Sequence, residues 1–88
     1  MTTLEETIEA RRKRLLWRAS HRGTREMDLM LGGFAKSHIG RFGETELEEL
    51  EAIVDLPDPE LMGWILGDVP VPQRQVTATL KALLNYRP

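Results

Sequence analysis

The sequence predicts a small all-α fold, a single-domain bundle of five helices. Three observations carry that prediction: apolar residues recur at three- and four-residue spacing, glycine and proline breaks divide the chain into five stretches, and no segment alternates convincingly as a strand. The nearest strand candidate, Val69-Pro70-Val71-Pro72, contains prolines that disrupt ladder hydrogen bonding. The 88 residues allow one domain, 1–88, with a limited core and modest stability.

The first helix is expected to be capped by Thr2 or Thr3, each followed three residues later by a glutamate in capping-box spacing. Leu4, Ile8, Leu15 and Ala19 form its stripe, and it should run to about Ser20 before Gly23 breaks it. Met27, Met30, Leu31 and Phe34 mark a second helix from Thr24 to about Ser37. Its interior Gly32 and Gly33 each cost about 1 kcal/mol relative to alanine, so they are expected to permit close helix packing or local bending. The methionines read as core filling rather than as a groove.

Gly40 and Gly43 make a connector to an acidic third helix, whose apolar side is Leu47, Leu50, Ile53 and Val54. Asp58 is the expected N-cap of the fourth helix and Pro59 its first residue; Leu61, Trp64 and Ile65 face inward and Gly67 closes it. After the DVPVP break, Val76, Leu80, Leu83 and Leu84 predict a fifth helix ending near Tyr86.

Charge is strongly segregated beneath a net value of −2. Seven bases and no acid lie from Arg11 to Arg25, whereas Glu44 to Glu60 holds eight acids and no base. Such segments either close on each other in the fold or face separate partners. Arg11, Arg14, Arg18, Arg22 and Arg25 could form a ridge for phosphates, with Trp17 stacking on a base, so nucleic acid is one alternative. An acidic protein surface, this chain's own acidic helix included, is the better match, and a regulatory helical adaptor is a further alternative.

Several classes are disfavoured. Without cysteine there is no disulfide, thiolate zinc site or cysteine nucleophile, and His21 and His38 are too few for a histidine-rich metal site. No phosphate-loop or dinucleotide motif is present, and no apolar run approaches the ~20 residues that span a bilayer. The acidic N-terminus lacks the apolar stretch of a secretory signal, so a cytoplasmic, bacterial-type protein without membrane insertion is expected. Catalytic groups are sparse: Ser20 and His21 are adjacent and diverge by roughly 100° on a helix, while Glu26 and Asp28 lie in a first turn, where acids complement the dipole.

Residues 12–39 carry a more specific signal. Arg22-Gly23-Thr24-Arg25-Glu26 reads R-G-x-x-E, preceded by Arg14-Leu15-Leu16-Trp17-Arg18 and followed by Asp28-Leu29 and Phe34-Ala35. Phe42, the acidic helix, Pro57-Asp58-Pro59-Glu60-Leu61, Trp64 and Gly67 follow in order. In this setting the chain resembles the flavinylation factors of succinate dehydrogenase, the assembly factor 2 family, over roughly residues 11–67.

The resemblance implies a five-helix bundle acting as an assembly factor, not as an enzyme. It implies that the chain promotes covalent attachment of FAD to the flavoprotein subunit of succinate dehydrogenase and, in some bacteria, of fumarate reductase. The flavin-bonding histidine would belong to that partner, which would also hold the FAD, so no tightly bound cofactor is expected here. Arg22, Gly23 and Glu26 are the expected partner contacts: Gly23 for close approach, Arg22 and Glu26 for directional hydrogen bonds. Arg18 and Arg25 would steer encounter, with Trp17, His21 and Asp28 completing the surface of a monomer that forms a transient heterodimer.

Overall fold

In the computed structural model, which describes residues 6–88, three of the five helices start at a threonine whose hydroxyl caps the first turn ahead of an apolar stripe. Helix α1 spans Ile8–Ser20, and the Thr7 hydroxyl accepts a hydrogen bond from the Ala10 N–H at 3.0 Å. The cap expected at Thr2 or Thr3 is therefore corrected to Thr7, whose extended backbone starts the helix several residues later; Thr2, Thr3 and Leu4 themselves lie outside the described residues. Leu15 and Ala19 are fully buried, as their stripe predicts.

Helix α2 covers residues 25–38, capped by Thr24, whose hydroxyl accepts from the Met27 N–H at 3.3 Å. It is not uniform. An α turn at Arg25–Met27 passes through a π-helical stretch, Asp28–Gly32, before α geometry resumes over Gly33–His38. Of the two roles expected of the glycine pair, close packing is the one present here. A Cβ on Gly32 would lie 2.9 Å from the Ser20 backbone Cα, and one on Gly33 would lie 2.7 Å from the Tyr86 hydroxyl. The pair therefore lets the end of α1 and the C-terminal segment press against α2. Met27, Leu31, Phe34 and Ala35 are buried, while Met30 is only half-buried.

A 3-10 turn, Ile39–Arg41, leads to α3, Glu44–Val54. At its start the Glu46 carboxylate reaches back to accept the Gly43 N–H at 2.8 Å. All four of its expected apolar residues, Leu47, Leu50, Ile53 and Val54, are buried. Helix α4 spans Asp58–Leu66 and is closed by Gly67 at φ +80°, as expected. Its start differs from expectation: the cap position is Pro57, without a side-chain cap, and the Asp58 carboxylate binds Arg22 instead. Helix α5, Ala78–Leu84, is capped by Thr77, whose hydroxyl accepts from the Leu80 N–H at 3.0 Å. The Thr79 N–H donates to Glu49 Oε1 at 3.2 Å, fastening α5 to α3. Five helices and no strand make up the described residues, around one core that includes Leu15, Phe34, Leu50, Leu61 and Leu83.

The segregated charge closes largely on itself. Arg11, Arg14 and Arg18 recur at helical spacing on α1 and face Glu51 on α3 and Asp55 at its C-cap. Arg14 lies 3.3 Å from Glu51 and 2.8 Å from Glu6, and Arg18 lies 2.7 Å from Asp55. The hydrogen bond from Arg14 holds the Glu6 carboxyl below its ordinary range, and its two acids push the guanidinium the other way. Among the described residues no helix is long and apolar enough to cross a membrane.

Candidate partner-binding site

The R-G-x-x-E segment forms the corner between α1 and α2. Its geometry follows from the glycine. Gly23 has φ +102°, a backbone conformation that side-chain-bearing residues rarely adopt, so the corner is strained for anything else. Among the described residues, its two chain neighbours aside, no atom lies within 4 Å of the position a Cβ would take. The glycine is thus required by the turn, and the space over it is open to a partner.

Two bonds lock the corner. Asp28 Oδ1 accepts the Arg22 backbone N–H at 2.7 Å, so this acid serves the turn rather than standing free. Across the corner the Arg22 side chain, only 10 % exposed, reaches the α3–α4 connection. Its Nε donates to Asp58 Oδ1 at 2.9 Å, Nη1 to the Val54 carbonyl at 2.6 Å and Nη2 to the Leu56 carbonyl at 2.8 Å. The end of a helix leaves carbonyls without intrahelical partners and carries partial negative charge, which makes the end of α3 a natural seat for a guanidinium. All three guanidinium nitrogens are engaged inside the fold. The Arg22 side chain, expected to bond to a partner, is committed here to this chain's own loop.

Glu26 is the opposite case. It lies exposed in the first turn of α2, and no ion pair or hydrogen bond joins its carboxylate to another described residue. Arg25 is likewise exposed and outside the ion pairs described. Trp17 is 61 % exposed and stacks on His21 with ring centroids 4.2 Å apart and 14° between planes. His21 Nδ1 lies 2.7 Å from the Trp17 carbonyl oxygen, which fixes the imidazole at the end of α1.

Two depressions flank the corner and adjoin at Asp58. One brings together Trp17, Arg18, His21 and Arg22. The other is an apolar groove lined by Thr24, Glu26, Met27, Pro59, Met62 and Leu66. The structure thus gathers Trp17, His21, Gly23 and Glu26 around one corner, while Arg18 leans to Asp55 and Asp28 turns inward. Met62 and Leu66 were not foreseen. The available signal was Leu66 itself, an apolar residue off the Leu61–Trp64–Ile65 stripe and directly ahead of the terminating glycine. No nucleophile and base meet here; the corner offers shape, one free carboxylate and apolar surface, which suits binding.

Comparison with known proteins points the same way. The model of the family described as "Flavinator of succinate dehydrogenase" matches residues 13–87, which takes in α5 as well as the motif. The chain is 40% identical over 81 residues to the FAD assembly factor SdhE of Acetobacter pasteurianus, covering 92% of this chain and 74% of that protein. It is 37% identical over 79 residues to the mitochondrial succinate dehydrogenase assembly factor 2 of Dictyostelium discoideum, covering 90% of this chain and 56% of the relative. A third relative, the corresponding mitochondrial factor of Scheffersomyces stipitis, is 41% identical over 59 residues, 67% of this chain and 40% of its own. The chain therefore spans most of the bacterial relative but roughly half of these mitochondrial ones. On the strength of a match running through nearly the whole bundle, the chain belongs to the family of the flavinator of succinate dehydrogenase.

Proposed function

We propose that this protein is an assembly factor that binds the flavoprotein subunit of succinate dehydrogenase and promotes covalent attachment of FAD to it. The observation that carries the reading is the family match over residues 13–87, which includes an R-G-x-x-E corner that leaves Glu26 and the space above Gly23 open. In bacteria that have it, fumarate reductase flavoprotein is a second client.

The chemistry belongs to the partner. Attachment replaces a C–H bond of the flavin 8α-methyl by a C–N bond to a histidine: the methyl and the histidine nitrogen each lose a proton, the isoalloxazine ring takes up the electron pair and leaves the step as reduced flavin, and all of these groups lie on the FAD-loaded flavoprotein. The assembly factor contributes positioning. Holding reactants in near-attack geometry removes several kcal/mol of barrier, which a docked, rigid corner can supply without a catalytic side chain of its own. Gly23 admits the partner's backbone closely, and Glu26 accepts a charge-assisted hydrogen bond from it.

Arg22 acts one step back, as a positioning residue. By clamping the α3–α4 connection it holds the corner at which Gly23 and Glu26 are displayed. Trp17 and His21 add a flat aromatic flank, and Arg25 steers the encounter from the rim. The protein works as a monomer that pairs transiently with its client.

Nucleic-acid binding is the poorer reading, because Arg11, Arg14, Arg18 and Arg22 face this chain's own carboxylates rather than a phosphate backbone. The test is in-gel flavin fluorescence of the flavoprotein in cells lacking this protein. Wild type should restore covalent flavin, and Gly23→Arg and Glu26→Ala should not. Full restoration by folded variants would remove the motif from the mechanism.

A further inference from the structure

Beside the motif, the groove between the first turn of α2 and the outer face of α4 has no assigned role. We propose that it is a second docking subsite, which takes an apolar side chain of the flavoprotein subunit next to a lysine or arginine that pairs with Glu26. The proposal rests on the assembly-factor reading and names a further surface through which that reading works.

The groove has a volume of about 460 Å³ and an almost wholly apolar floor of Met27, Pro59, Met62 and Leu66. Leu66 is 65 % exposed, more than Trp17, Leu29 or Val69, the other large apolar side chains open to solvent. An apolar surface rimmed by polar groups marks an interaction site more often than a stray residue does. Two of the four floor residues are methionines, whose unbranched, polarisable side chains adapt to whatever enters.

Its walls are held before any partner arrives. Helix α4 is anchored on its inner face by Leu61 and Trp64, at its start by the Arg22–Asp58 pair and at its end by Gly67. The opposite wall is the capped first turn of α2. A preformed site avoids the ordering cost that a flexible one incurs on binding.

Charge identifies the occupant. The ionisable groups at the rim are Glu26 and Asp58, and no base lines the groove. Asp58 is already neutralised by Arg22 at 2.8 Å, which leaves Glu26 as the free negative charge. The complementary surface is an apolar knob with a cation beside it. A second copy of this chain fits poorly: in a two-fold interface the same patch meets itself, which sets Glu26 near its own copy. The groove is also too small to hold a partner alone, since specific interfaces bury about 800 Å² on each side, so it works as an extension of the corner at Gly23.

The experiment is calorimetric titration of purified flavoprotein subunit with wild type, Leu66→Glu, Leu66→Met and Glu26→Gln, each first checked by thermal melting. Leu66 is exposed, so Leu66→Glu should melt as wild type does and bind at least tenfold more weakly, with Leu66→Met near wild type. Raising salt should weaken wild type more than Glu26→Gln. If Leu66→Glu binds like wild type while Glu26→Gln is weakened, the groove proposal fails and the assembly-factor reading stands. If wild type does not bind the subunit at all, both fail. If wild type sediments as a dimer and Leu66→Glu as a monomer, the occupant is a second copy and the proposal is overturned.

Discussion

Along the seam that runs from α1 and α3 to the α3–α4 connection, Arg11, Arg14, Arg18 and Arg22 each meet a carboxylate, and Arg22 meets two backbone carbonyls besides. Four residues beyond Arg22, in the same short motif, the exposed Glu26 carboxylate has no ion pair or hydrogen bond with a described residue. The seam uses its charge to join helices; the corner keeps its charge available. A five-residue motif can therefore hold two kinds of residue, one that builds the display and one that is displayed. Charge and helix position do not tell them apart in sequence, because both are ionised and both flank the same glycine.

The largest test of this division is Arg22→Ala. Removing one partner of a mostly buried ion pair leaves the other charge and its neighbouring carbonyls unsatisfied, which costs about 3–5 kcal/mol when burial is complete. Asp58 keeps some exposure, 24% of its side chain, so a loss of about 2–4 kcal/mol in denaturant unfolding is expected. Arg22→Lys should recover only part of it, since one ammonium cannot reproduce a planar fork reaching three acceptors. The double variant with Asp58→Asn should be less destabilised than the sum of the two singles. An Arg22→Ala protein as stable as wild type would move this arginine out of the seam and back among the displayed groups.

Gly23 sits on the boundary and should show both behaviours. Placing a side chain at φ +102° stores about 1–3 kcal/mol of backbone strain, so Gly23→Ala should be destabilised by that amount. Gly23→Asn should lose less, because asparagine tolerates left-handed backbone better. Covalent flavin in complemented cells should fall further for both than their melting temperatures account for. Equal losses of stability and flavin would make the glycine a folding residue alone.

How far the sequence revealed these roles depended on the range of the interaction. Features set within one turn of chain were legible: Thr24 ahead of the Met27–Phe34 stripe, Gly23 as the break and Gly67 as the stop. The four apolar residues of α3 were legible for the same reason. The start of α4 was misread because an aspartate before Pro59 has a local use as a cap and a distant use as the partner of Arg22, and the distant one prevails. The π stretch Asp28–Gly32 was not foreseen, because the apolar spacing of Met27, Met30, Leu31 and Phe34 reads simply as α-helix. The groove was hidden because Met27 belongs to one helix and Met62 and Leu66 to another, and only packing sets them side by side.

A smaller effect separates the outer seam from its buried end. Arg18 and Asp55 are both partly exposed, 35% and 59% of their side chains, so their 2.7 Å contact is screened by water and salt. Arg18→Ala should cost no more than about 1 kcal/mol, less again at high ionic strength. A loss as large as that of Arg22→Ala would mean that the seam is one cooperative network rather than a graded one.

The smallest change in stability should come from Glu26→Gln, and it carries the most information about function. The side chain is exposed and joined to no described residue, so the substitution removes a charge without removing a contact. Surface changes of this kind stay within about 0.5 kcal/mol, and loss of a favourable acid from the first turn of α2 belongs in the same range. Denaturant unfolding should therefore place Glu26→Gln beside wild type, while flavin fluorescence of the client falls towards the level of cells lacking the protein. Glutamine keeps the length and one carbonyl acceptor of glutamate, so the variant asks whether the charge itself is needed. If it restores flavin fully while Glu26→Ala does not, the corner recognises its partner through a neutral hydrogen bond. If neither variant affects flavin, the free carboxylate has no part in docking, and the division between seam and corner describes the fold alone.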